Sequence, residues 1–303
     1  MANLEKMTVQ YVDEGYSELL AEARVCQDII LKAISESAMN RNVTIKGGVV
    51  MRSITGDVRR ATRDIDFDFI KYSIDEPAIR EFIKKLNVLE GISLQISGEI
   101  EELSQQEYRG KRIWVVIQDD TGHSLKSKID LGVHKNIQIE QEEFCFDVCH
   151  DDEGVSLLMN SKEQIFAEKM RALVKFGTFS GRVKDVFDLC YLSEYVDTER
   201  LLKCIHTYIL DDPGMFENDM DDIRRRVKKV FNDRDFAKSV ENSGKDNWLR
   251  VKASVAFERI MDCLNKLPLS ESEEHVMDVA DAAADVTDVR LTHDQVFGEK
   301  HRY

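Results

Sequence analysis

Proline is nearly absent from this sequence, at three in 303 residues. With so few helix breakers, the many stretches of Leu, Glu, Lys, Arg and Ala can persist as helices, which predicts a high helix content. No apolar run approaches the roughly twenty residues needed to cross a bilayer. The N-terminus carries no apolar core of a signal peptide, so neither a membrane span nor secretion is expected. The six cysteines, at 26, 145, 149, 190, 204 and 263, include no C-x-x-C pair. That pattern predicts reduced thiols in a cytoplasmic protein. Positive charge is also in deficit: 42 Lys and Arg against 57 Asp and Glu leave a net charge of −15. This excludes a whole-surface electrostatic grip on nucleic acid, though not a local basic patch.

What remains is the composition of a soluble globular chain, 43% hydrophobic and 33% charged, and long enough for two domains. Its charges are unevenly distributed. Residues 224–229 read Arg-Arg-Arg-Val-Lys-Lys, whereas 271–288 hold Glu271, Glu273, Glu274, Asp278, Asp281, Asp285 and Asp288 with no Lys or Arg.

The most informative stretch is Lys46-Gly47-Gly48-Val49 together with Asp64-Ile65-Asp66-Phe67-Asp68-Phe69. A strand at 43–46 breaks at the two glycines into a helix over about 48–56. The glycines remove Cβ atoms, so backbone N–H groups at a helix start can approach a phosphate. A second strand, 64–70, places Asp64, Asp66 and Asp68 on one face and Ile65, Phe67 and Phe69 on the other. Neighbouring carboxylates repel one another unless a cation compensates, and Mg²⁺ carrying nucleotide phosphates is such a cation, with Mn²⁺ as its substitute. The two halves therefore predict a metal-dependent nucleotide site. Arg52, Arg59, Arg60 and Arg63, between them, are candidates to face phosphate.

Along the rest of the chain, helical spacing runs over 14–41 and 79–89, the latter entered after Pro77. Period-two alternation predicts strands at 92–98, 112–117 and 125–131, giving a small mixed sheet of four or five strands with flanking helices. Cys145, Asp147, Cys149, His150 and Asp151 have no second ligand pair nearby, and Phe144 and Phe146 favour a plain strand over a zinc site. From about 156 the period becomes 3.6. Ser161 and Gln164 form a capping box opening a helix through Val174, and further helices are expected at 182–192, 198–210, 216–236 and 246–267. The expected organisation is an α+β fold: an α/β-type domain over 1–155, a helical domain over 156–267 and an acidic tail over 268–303, partly helical or disordered. The tail could compete with RNA for the basic cluster.

Five elements occur in order across about residues 43–192: Lys46-Gly47-Gly48, Asp64-Ile65-Asp66, a lone strand Asp130, Ala167-Glu168-Lys169-Met170-Arg171-Ala172-Leu173, and Arg182-Val183-Lys184-Asp185-Val186-Phe187-Asp188-Leu189. In this the chain resembles the AbiEii/AbiGii toxin-type nucleotidyltransferases, a branch of the DNA polymerase β-like superfamily. The resemblance implies a Mg²⁺-dependent nucleotidyltransferase, the toxin of a bacterial toxin–antitoxin or phage-defence pair. It implies an NTP donor, an acceptor such as the tRNA 3′ end, and a cognate antitoxin as partner. Asp64 and Asp66 would bridge the metals, and Asp130 would bind the metal nearest the acceptor and take its proton. Lys46, Gly47, Gly48, Val49 and Arg63 would border the nucleotide. Lys169 and Lys184 would hold triphosphate oxygens as the helical domain closes. Asp185 or Asp188 would orient Lys184 or bind the acceptor. Relatives usually carry Ser or Thr where this chain has Val49, and a catalytically silent nucleotide-binding or interaction module is the rival reading.

Overall fold

The computed structural model describes residues 3–103, 110–149, 151–179 and 181–268. The chain opens with α1 (Leu4–Asp13), a helix not anticipated above. Its cap, Asn3, accepts from the Lys6 N–H, and Leu4, Met7 and Tyr11 bury one edge. α2 (Glu18–Glu36) follows, shorter than the predicted 14–41 because Gly15 at φ 101 turns the chain before it. β1 (Val43–Lys46) leads into α3 (Gly47–Thr55), which ends on a left-handed Gly56. Next come β2 (Ile65–Phe69) and α4 (Glu76–Lys85), the latter capped by Asp75 with proline in its first turn. The remaining strands are β3 (Ile92–Ile96), β4 (Glu101–Leu103), β5 (Gly110–Asp119), β6 (Ser124–Val133), β7 (Glu142–Val148) and β8 (Asp151–Met159).

These strands form one mixed eight-stranded sheet in the order β3-β5-β6-β2-β1-β8-β7, with β4 on β5. The sheet is larger than the four or five strands read from the sequence. β2 runs antiparallel to β1, with Lys46 opposite Asp66, and parallel to β6, with Asp66 opposite Asp130. β8 corrects the expectation that helical periodicity starts near 156. Val155, Leu157 and Met159 bury alternately, and the strand pairs with β1 and β7. The unbroken apolar run Leu157-Leu158-Met159 hid this period of two. A boundary at 155/156 would therefore cut β8 internally.

On one face of β2, Ile65, Phe67 and Phe69 are fully buried, and both Phe rings meet Phe82 of α4 at 5.6 and 5.0 Å. Burial of each such side chain stabilises by about 1.5–3 kcal/mol. α2 covers β6, β7 and β8. With one face closed by α2 and α4, the other carries the acids and receives the helical part.

That part comprises α5 (Lys162–Phe176), α6 (Val183–Leu192), α7 (Thr198–Ile205), α8 (Met220–Phe231), α9 (Arg234–Glu241) and α10 (Ala253–Asn265). Half of the capping box forms: Ser161 Oγ accepts from the Gln164 N–H at 3.1 Å, but the Gln164 amide donates to Glu168 instead of reaching back. The stretch read as a single helix over 216–236 breaks because Asp233 caps a new one, accepting from the N–H groups of Asp235 and Phe236. The last helix starts at 253, since Arg250 takes φ 57 before it. Cys145 Sγ donates across the β7–β8 hairpin to Glu153 O, whereas Cys149 Sγ, in its turn, donates to Gln10 Oε1 of α1, and His150 lies outside the described residues. All six cysteines are free thiols. No helix among the described residues is long and apolar enough to cross a membrane. The acidic segment 269–303 lies outside the described residues.

Candidate active site

The glycine turn and the acidic strand meet at Asp66. Gly47 adopts φ +64, a left-handed conformation that side chains other than glycine disfavour, and a Cβ there would sit 2.6 Å from Asp66 Oδ2. Gly48 is equally constrained, since its Cβ would lie 2.6 Å from Thr62 Oγ1. Gly47 is thus required to let the carboxylate lie against the start of α3, and Gly48 to let Thr62 pack beside it. No side chain caps that helix start, so its first N–H groups are left for an external acceptor, and the helix dipole favours an anion there. Val49, the position where a hydroxyl was expected, is fully buried with its side chain in the core. It offers the site only its N–H.

Asp66 differs from its neighbours. No hydrogen bond or ion pair among the described residues engages its carboxylate. Burial pushes its pKa up to about 6, with the Asp130 and Asp64 charges adding to the rise and Lys46 and Arg182 opposing it. The flanking acids have cations of their own. Asp64, partly exposed, pairs with Lys128 at 2.7 Å. Asp130 accepts two bonds from Arg112, at 2.7 and 2.8 Å. Asp68 takes the Lys46 ammonium at 2.5 Å. Burial alone would lower the Lys46 pKa, but Asp68, Glu168 and Asp66 outweigh it and hold the amine charged. Among the described residues no three His, Cys, Asp or Glu side chains are grouped as a ready-made metal site. The donor set nevertheless suits a hard divalent cation: Asp64, Asp66 and Asp130 are hard oxygen ligands from adjacent strands, and the Asp66 carboxylate has no hydrogen-bond or ion-pair partner among the described residues.

Of the four arginines between the motifs, three are committed elsewhere. Arg52 is buried and donates to Ser53 Oγ, Arg59 binds Asp57, and Arg60 forms a fork with Asp188 at 2.6 and 2.6 Å. Arg63 is exposed beside Asp64.

The helical motif residues make a buried cluster. Asp188 is wholly inaccessible and also receives Trp248 Nε1 at 3.0 Å and Lys169 Nζ at 2.8 Å. Burial would raise the Asp188 pKa, but Lys169 and Arg60 outweigh it and keep the carboxylate ionised. Lys169 bridges Asp188 and Asp185, so Asp185 and Asp188 face Lys169 and not Lys184. Lys184 instead donates to the Ala61 carbonyl at 2.7 Å. That bond ties α6 to the segment whose Thr62 packs on Gly48. Burial, with Arg60 adding, pulls the Lys184 pKa down.

Between β2, β6 and α5 lies a cavity of about 710 Å³, bounded by Lys46, Asp68 and Gly132 below and by Glu168, Arg171, Lys175 and Arg182 above, with Phe176 and Tyr208 at its side. Lys135 completes a lining of five cations against two carboxylates. Its volume falls in the ordinary range for small-ligand pockets. Sequence reasoning missed Glu168, Arg171, Lys175, Phe176, Arg182 and Tyr208 as lining residues. The signal was present: 168, 171 and 175 recur at helical spacing on one face of α5, beside the Lys169 that drew notice. Tyr208, in the turn after α7, left no such signal.

The model of the AbiEii family, described as the nucleotidyl transferase AbiEii toxin of type IV toxin–antitoxin systems, matches residues 29–262. The chain belongs to the AbiEii family. Membership makes it a nucleotidyltransferase of a toxin–antitoxin system, with a nucleotide substrate and an antitoxin partner. No curated protein sequence matches it. Among solved structures, it is similar to a putative nucleotidyltransferase from H. pylori at 14% identity and TM-score 0.46, covering 82% of this chain and 94% of that one. It is also similar to an antigenic nucleotidyltransferase-like protein from Paracoccidioides brasiliensis at 13% identity and TM-score 0.42, covering 78% and 97%. The AbiEii match spans both the glycine–aspartate half and all of α5 and α6, so the cavity lies within the family's extent.

Proposed function

We propose that this AbiEii protein transfers a nucleotide from an NTP to an acceptor hydroxyl, such as the tRNA 3′ end, at the Asp64–Asp66–Asp130 site, in a Mg²⁺-dependent reaction in the cytoplasm. The observation that carries the reading is Asp66: a carboxylate with no hydrogen-bond or ion-pair partner among the described residues, pressed against an uncapped helix start, with its cross-strand neighbour Lys46 lining a cation-rich cavity. The triphosphate lies in that cavity, where Lys46, Arg171, Lys175 and Arg182 offset its charge and Phe176 and Tyr208 flank the base. The α3 N–H groups at Gly48 and Val49 receive phosphate oxygens. Asp64, Asp66 and Asp130 would hold the metal, which when bound would supply positive charge to offset that of the phosphoryl oxygens. The acceptor oxygen forms a bond to the α-phosphorus, the bond to the β-phosphate breaks, and pyrophosphate leaves. Asp130, oriented by Arg112, takes the hydroxyl proton. Lys169 and Asp188 act at one remove, setting α5 against α6 so that the cavity keeps its width.

Incubation with each radiolabelled NTP, Mg²⁺ and total tRNA tests this. Label transfer is expected from the wild type and not from Asp66→Ala or Asp130→Ala. Transfer that survives both substitutions, or the absence of NTP binding, refutes the assignment.

A further inference from the structure

The basic run on α8 divides into two functions. Arg224 points inward and donates to the carbonyls of Leu264 and Leu267 at 2.8 and 2.7 Å, and Arg226 Nε donates to Val174 O at 3.0 Å. These two arginines cap the C-terminal ends of α10 and α5. Arg225, Lys228 and Lys229 point outward, and neither lysine has an ion-pair partner among the described residues. They line a groove of about 800 Å³ together with Phe176 and Phe179. A second, smaller hollow shares Arg225 and Lys229 and ends at Phe216. Phe179 and Phe216 are 95% and 91% exposed, a solvent exposure that large apolar rings seldom adopt without something to cover them. Phe176 belongs both to this groove and to the catalytic cavity, so the two spaces adjoin.

Cations spaced along a groove with bare aromatic faces among them match an unpaired polynucleotide: ammonium groups track the phosphates while rings stack on splayed bases. A duplex, whose bases are already stacked, has no use for the rings. An acidic protein segment would satisfy the lysines too, and the acidic 269–303 segment is the competing occupant in the test below. On a chain of net charge −15 the outward cations are a local exception, which confines a polyanion to this face. We propose that the α8 groove binds a single-stranded nucleic acid, with Phe179 and Phe216 as stacking platforms and Lys228 and Lys229 on its phosphates, leading one end of the strand past Phe176 to the catalytic cavity. This deepens the transferase reading by giving the acceptor its track.

The test is binding without turnover: fluorescence anisotropy of a labelled single-stranded RNA with the full chain, no NTP present, across a salt series. Failure of nucleotide transfer leaves this measurement untouched, so the two readings are judged separately. Phe179→Ala is expected to weaken binding about tenfold. Lys228→Gln with Lys229→Gln is expected to reduce the magnitude of the log–log salt slope by about two phosphate contacts. Both sites are exposed, and an unchanged thermal melt verifies folding. Preference for single-stranded over double-stranded RNA of the same sequence, lost with Phe179→Ala, supports the stacking role. Affinity unchanged in both variants overturns the proposal, as does a groove that binds a peptide of residues 269–303 but not RNA.

Discussion

Asp66→Asn should abolish transfer and yet make the protein more stable. In the chelator-treated protein, burial and the like charges of Asp130 and Asp64 push the Asp66 pKa from an ordinary 3.8 up to about 6. A rise of about two units corresponds to about 3 kcal/mol, at about 1.4 kcal/mol per unit; partial exposure of the side chain screens this to about 1–2 kcal/mol. The direction follows from linkage. The folded state holds the Asp66 proton more tightly than the unfolded chain, so this group's stabilising contribution is complete below the unfolded pKa and is lost as pH rises through about 6. Asparagine is neutral throughout and nearly isosteric. Its advantage should therefore be absent near pH 3.5, grow between pH 4 and 6, and stay level above that. Urea unfolding of both proteins across this range in EDTA measures it. Added Mg²⁺ should narrow the gap by stabilising the wild type alone. An asparagine variant less stable than wild type at pH 7, or a difference that ignores pH, refutes the electrostatic account of this carboxylate.

Three further outcomes follow from the same geometry. Gly47→Ala should cost about 1–2 kcal/mol in a urea melt and remove most label transfer, since its methyl can only be accommodated by moving Asp66. Asp188→Asn strips the buried Arg60 and Lys169 of their shared anion and should destabilise by about 3–5 kcal/mol, read as a lower denaturation midpoint; a loss under 1 kcal/mol would refute its central place. Lys184→Met should lower kcat more than it raises KM for the NTP, because its ammonium holds Ala61 and touches no substrate; a purely KM effect would mean that it binds the triphosphate directly.

The readable parts of the sequence were those where a local pattern decides the outcome. Two glycines before a helix and acids alternating with Ile and Phe specify β1, α3 and β2 almost by themselves, because the period of two leaves no other face for the phenylalanines. The strand that carries Asp130 was legible for the same reason, but its register opposite Asp66 is set by the β2–β6 pairing and not by any local pattern. Less legible was anything decided by a partner distant in the chain. Lys169 and Lys184 looked alike, two lysines on helices in matching motifs, yet one is buried between Asp185 and Asp188 and the other ties down Ala61. Nothing local distinguishes them, since Arg60 and Trp248, which complete the Asp188 cluster, lie 128 and 60 residues away. β8 was lost because a strand in a sheet interior can bury consecutive positions and so mimic one side of a helix. The basic run at 224–229 read as a uniform patch because helix-capping and solvent-facing arginines look identical until the neighbouring helix ends are in place.

The Asp188 cluster carries a consequence for how the enzyme admits its nucleotide. Arg60 belongs to the loop before β2, Lys169 to α5 and Trp248 to the connection before α10, and all three converge on one inaccessible carboxylate. Separating the sheet from the helices would strand an ionised acid and two cations in an apolar interior, so the two halves are riveted and do not swing like a jaw. The mouth of the cavity then has a fixed gauge. Hydrogen exchange of β2 and α6 should accordingly decay as a single cooperative unit, at the rate of global unfolding.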